Sequence, residues 1–259
     1  MVKELAARSV SIRWLGVAGL LALVLSLSQS VQAQTNPITV TEVLVVASMH
    51  RLHANAPNFG FDRLYSIVER FKPDVVGVEI RPEDIRADPE YLSKSYPPEM
   101  IALRDHYRDR IVGFDWLGPE LAGKPIPADW WAHGSKIKAL ERELGADPKM
   151  SDAETQRISE AQREILKSAT PASLTNGRYY RLVRKERAWL ARHAGDGPYR
   201  EYIRFNDARE RHIDANLAAI VRANPGRRIV FVMGADHHGF AVDSLRAASG
   251  SKIRLVLPE

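Results

Sequence analysis

Cysteine is absent from all 259 residues, which excludes a disulfide scaffold, a thiolate zinc site, an iron–sulfur cluster and a cysteine nucleophile. Any metal must then be held by histidine and carboxylates. A glycine-rich phosphate loop is missing, as is a Gly-x-Ser-x-Gly turn, which argues against nucleotide-dependent transfer and the serine-hydrolase fold. No block of one charge sign occurs either. The 37 basic and 32 acidic residues are interspersed, so the net charge of +5 is no footprint of a nucleic-acid partner.

What is present begins with a leader. Lys3, Arg8 and Arg13 give a positive start, Trp14 to Leu27 is apolar, and Val31-Gln32-Ala33 fits a small-x-small cleavage site. The expected product is an exported chain, periplasmic or secreted, that starts at Gln34 and forms one domain over residues 34–259. No later stretch is long and apolar enough to span a membrane, so no membrane contact is expected after cleavage.

The rest predicts an α/β fold with a mostly parallel central sheet flanked by helices. Val43 to Ala47 and Val75 to Val78 are short apolar runs separated by a helical pattern at Leu64, Ile67, Val68 and Phe71, a βαβ unit that Lys72-Pro73 divides. Arg110 to Phe114 reads as a third strand after a polar helical stretch, Pro98 to Arg108. A helical insertion follows at about residues 119–200, with a capping box at Ser151 and Glu154 and a stripe of Ile158, Ala161 and Ile165. A helix from Tyr199 carries Ile213, Leu217, Ile220 and Val221. Ile229 to Met233 is the fourth strand, Phe240 to Ala248 a helix, and Ile253 to Leu257 a closing strand.

Ligands in such sheets bind beyond the carboxyl ends of the strands. The residues expected there are His50, Glu79, Asp115 and His237, one after each of the first four strands. Two imidazoles and a carboxylate can hold one divalent ion (Mn, Co or Zn) with His50, Glu79 and His237 as ligands, or can serve as acid–base groups in water-assisted hydrolysis. The residues alone leave both open. Asp115 is a substrate-binding candidate or a turn cap. His53 and His238, near neighbours of the main ligands, either replace them or are solvated loop residues. Arg209 and Asn206 lie four and seven positions before Ile213 and continue its apolar stripe, whereas Glu210 is placed off it. Arg209 then pairs with the sheet-edge carboxylates, holds a substrate oxyanion, or snorkels to solvent. Arg81, two residues past Glu79, is a further substrate-binding candidate or a surface charge. The aromatics Trp130-Trp131, Tyr179-Tyr180, Trp189, Tyr199 and Tyr202 either wall a pocket or pack the insertion.

The segments Ala47-Ser48-Met49-His50, Glu79, Arg209-Glu210-Arg211-His212-Ile213 and Gly234-Ala235-Asp236-His237 resemble, in order and spacing, the marks of the TraB/Tiki superfamily, which includes the erythromycin-esterase-like and ChaN-like proteins. Ala47 stands where the family has glycine, and Glu210 where it has Asn or Asp. The resemblance implies divalent-metal proteolysis, or metal-independent ester hydrolysis with a histidine base, or haem binding without catalysis. The expectation is an exported hydrolase acting on a small-molecule or peptide substrate, with Arg209 stabilising the oxyanion. The alternative is a periplasmic binding protein for haem or another ligand, and the oligomeric state stays open.

Overall fold

The computed structural model describes residues 40–249 and 252–258. The leader expected at residues 1–33 lies outside them. Five parallel strands, β1 (Thr41–Ser48), β2 (Val75–Val78), β3 (Ile111–Gly113), β4 (Arg228–Gly234) and β5 (Ile253–Val256), form one sheet in the order β3-β2-β4-β1-β5. β4 is buried beyond its first residue and β2 throughout, as their β-branched runs require of strands covered on both faces.

Alternation along the strands divides the core in two. Leu44, Val46, Val76, Val78, Val230 and Val232 face Leu64, Ile67 and Val68 of α1 (Phe61–Phe71). Val43, Val45, Ile229, Phe231 and Met233 face the other way. There they meet Ile213 and Leu217 of α8 (Arg200–Ala223) and Leu245 of α9 (Ala235–Ser249). Glycine at position 77 lets the Phe231 ring cross the sheet surface, since a Cβ there would stand 2.4 Å from it. α1 follows β1 onto one face and α9 follows β4 onto the other, so these neighbouring strands open a crevice at their carboxyl ends.

Between β3 and β4 every regular element is helical among the described residues. Before that stretch come α2 (Pro89–Ser95) and α3 (Pro98–His106); within it are a π-helical turn (Trp130–Gly134), α4 (Lys136–Ala146), α5 (Ala153–Lys167), α6 (Pro171–Thr175), α7 (Arg178–Ala194) and α8. Two local expectations need correction. The capping box of α5 is Asp152 with Thr155, because Asp152 accepts from the Glu154 and Thr155 amides, and Ser151 stands outside the helix. α9 begins directly after β4 rather than at Phe240. At Gly239 a Cβ would strike the Tyr180 ring at 2.1 Å, so the glycine marks the close approach of α7 to α9.

Candidate functional site

His50, Glu79, Asp115 and His237 converge at the carboxyl edge of the sheet, and Arg209 reaches them from α8. Together they line one cavity of about 770 Å³ closed by the π-helical turn, α4, α7 and α8. Arg209 spans two strand ends. Its Nη2 donates to Glu79 Oε1 at 2.7 Å and to Asp115 Oδ2 at 2.9 Å, and its Nε to Asp115 Oδ1 at 2.8 Å. The guanidinium is therefore paired and raised in pKa rather than snorkelling, with burial opposed by the charges of Asp115 and Glu79.

Glu79 is the hub. Its Oε2 accepts the Gly234 amide at 2.6 Å, tying the end of β2 to the end of β4. Burial would raise its pKa, but His237, Arg209, His50 and the Gly234 N–H outweigh that and hold it down at about 2. Asp115 moves the other way: burial and the nearby Glu79 charge raise it despite Arg209.

Each histidine is backed by a buried glutamate. His50 Nδ1 donates to Glu99 Oε1 at 2.8 Å, and His237 Nδ1 to Glu210 Oε1 at 2.6 Å. Both rings feel burial, which lowers the pKa, and both are raised nonetheless, His50 by Glu99 and Glu79, His237 by Glu79 and Glu210. With Nδ1 committed, Nε2 is the working nitrogen. For His237 it lies 3.6 Å from Glu79 Oε1. That of His50 approaches Gly234 so closely that a Cβ there would lie 2.8 Å from it. The two rings differ in access: the His50 side chain is 38% exposed, that of His237 only 11%.

His50 sits at φ 52°, a left-handed conformation uncommon for a side chain with a Cβ. Three contacts hold it there. The His50 amide donates to Ser48 Oγ at 3.0 Å, Ser48 Oγ donates to Glu99 Oε1 at 2.7 Å, and the Met49 amide donates to His53 Nε2 at 2.9 Å. His53 Nδ1 in turn donates to the Phe59 carbonyl at 2.6 Å. A carbonyl only accepts and an amide only donates, so His53 is the neutral Nδ1–H form. Burial lowers its pKa accordingly.

Several sequence expectations are revised. His53 and His238 are buried, not solvated, and His238, beside the Val45 carbonyl, is pushed down to about 4 by burial. Arg81 is buried away from the cavity and fastens loops through Asp84, Leu121 O at 2.7 Å and Lys124 O at 2.8 Å. Asn206 lines the cavity, with its amide donating to Tyr202 O. Trp130, Trp131 and Tyr202 line the cavity, while Trp189 and Tyr199 pack the helices. Glu210 lies on the buried stripe of α8 after all, three residues before Ile213, with Arg187 as a second partner at 2.5 Å. Glu99 was missed entirely, although it shares the buried face of α3 with Met100 and Leu103.

The metal set His50, Glu79 and His237 does not fit this arrangement. A divalent ion would need an oxygen of Glu79 at about 2.0–2.2 Å. Glu79 gives one oxygen to a guanidinium and the other to an amide, so such an ion would stand against Arg209. Among the described residues no group of three or more His, Asp or Glu is arranged to hold a metal.

Fold and site together define a parallel α/β protein with two glutamate-backed histidines over a buried Glu–Arg–Asp cluster. Compared with protein-family models, curated proteins and solved structures, the chain matches none.

Proposed function

We propose that this protein is an exported hydrolase that uses His50 as a general base to add water across an ester or peptide bond. The observation that carries this reading is the half-exposed His50, oriented by buried Glu99 and facing the cavity beside a fixed cation, Arg209. Neutral His50 Nε2 takes a proton from water as the water oxygen bonds to the substrate carbonyl carbon. Negative charge then gathers on the carbonyl oxygen. Arg209 Nη1, which neither Glu79 nor Asp115 uses, offers a donor to it, and so does His237 Nε2 when the ring is protonated. Collapse breaks the bond to the leaving group, which receives the proton from His50, giving a carboxylic acid and an alcohol or amine.

Glu79 and Asp115 do not react in this scheme; they hold Arg209, and Glu79 also raises the His237 pKa. The resemblance to TraB/Tiki proteins agrees with it, in the metal-independent form, and the pattern of residues 1–33 supports export. The test is hydrolysis of p-nitrophenyl esters and of a peptide library by chelator-treated protein, compared with His50→Asn. Turnover that survives chelation and falls at least about 100-fold in the variant supports the reading. Ester inertness together with a Soret band on haem titration would assign the cavity to a binding protein instead.

A further inference from the structure

The floor of the cavity is the charged cluster at the strand ends, and the π-helical turn, α4, α7 and α8 add Trp131, Ile137, Leu190, Ile203 and Phe205 to its lining, among charged residues such as Glu141 and Glu186. At about 770 Å³ it has room well beyond a scissile group and its nearest atoms.

All but one of the cations around it are paired. Lys138 pairs with Glu141 at 2.5 Å and Lys94 with Glu90 at 2.7 Å. Arg187 pairs with Glu210 at 2.5 Å, and Arg209 with Glu79 and Asp115. The Lys138 ammonium also lies 5.5 Å from the Trp131 ring centroid, which fixes that ring's polar neighbour. Arg51, which is exposed, is the one lining cation without an ion pair among the described residues. Glu186, Asp207 and Asp236 line the cavity with no cationic partner among the described residues, so the excess charge of the lining is negative. A carboxylate or phosphate entering would meet these three carboxylates, with Arg51 the one unpaired cation to offset them.

We infer that the substrate is an uncharged ester or amide bearing a large apolar group, with its carbonyl at the floor and the apolar group against Trp131 and Phe205. This rests on the hydrolytic reading of the floor, and extends it by excluding anionic substrates and short polar ones. Each methylene moved from water onto such side chains favours binding by about 0.8 kcal/mol, roughly fourfold.

Two measurements separate the inference from its premise. The first is kcat/KM for p-nitrophenyl octanoate against acetate, in wild type and Trp131→Ala. The second is binding of 2-decanone against decanoate, followed by tryptophan fluorescence; neither can be hydrolysed. The inference expects an octanoate preference of at least about tenfold that shrinks at least about fivefold in Trp131→Ala, and 2-decanone binding at least about tenfold tighter than decanoate. If both esters are cleaved at equal efficiency, or decanoate binds the tighter, the inference falls while hydrolysis stands. If neither ester is cleaved yet 2-decanone is still preferred, hydrolysis falls and the apolar, uncharged ligand class stands. Failure of both measurements removes both.

Discussion

His50 and Glu99 are joined at 2.8 Å through Nδ1 and Oε1, and the same glutamate oxygen accepts a hydrogen bond from the Ser48 hydroxyl at 2.7 Å. One buried carboxylate thus sets both the ring and the backbone turn of the histidine nearest solvent. Its charge also raises the His50 pKa against burial.

Glu99→Gln keeps an oxygen for both donors and removes only the charge. A base works when unprotonated, so the rate should rise with pH through the His50 pKa, which lies above the ordinary 6.5. In the variant the acid limb of kcat/KM against pH should move to lower pH, with a plateau reduced at least about tenfold. An unmoved limb would show that another group controls the rate.

Arg209→Lys retains one positive charge but cannot make three bonds to two carboxylates. We expect a stability loss of about 1–3 kcal/mol in denaturant titration, together with a fall in kcat. Arg209→Met leaves Glu79 and Asp115 buried without their cation, and should cost about 3–5 kcal/mol. Equal stability of the three proteins would show that the cluster is solvated in solution.

Gly234→Ala places a Cβ 2.8 Å from His50 Nε2 and 3.4 Å from Glu79 Oε2. Displacing His50 by a fraction of an ångström or more should lower kcat on the order of 100-fold, with the far-ultraviolet circular dichroism unchanged. Full activity in this variant would remove His50 Nε2 from the reaction.

His53 should reveal itself in acid. Its folded pKa lies below the unfolded 6.5, so the stability it contributes is present above 6.5 and is lost as pH falls through the folded value. His50 and His237 are raised and act with the opposite sign, their contribution being complete below 6.5 and lost at higher pH. The difference between wild type and His53→Gln isolates the first effect, because glutamine can still accept the Met49 amide and does not titrate. The melting-temperature gap should close or reverse as pH drops below 6.5. Glu79, held at about 2 against an ordinary 4.5, adds a second loss common to both proteins as pH falls below 4.5.

The strands and the residues just past them were legible because apolar runs mark strands and topology sends their ends to one edge. That reasoning reached His50, Glu79, Asp115 and His237, and the stripe of α8 reached Arg209. It missed Glu99 and Glu210 for a common reason: both sit on helices, and what makes them matter is a histidine distant in sequence. A carboxylate on the buried face of an otherwise apolar stripe was the available signal. Arg81 misled because nearness in sequence to Glu79 does not carry it to the cavity: β2 ends at Val78, and Arg81 is fastened to loops instead. His53 and His238 looked solvated because nothing local reveals that a backbone carbonyl waits for each ring.

The central place of β4 has a consequence in time. Ser48 pairs with Gly234, so the strand that sets His50 in position lies between β1 and β2 in space yet is almost the last to be synthesised. Until it slots in, Glu79 lacks its amide donor and His237 has not been translated, so the half-made chain carries no assembled site. Such distant pairing also slows folding, and a chain truncated before β4 should be inert rather than partly active.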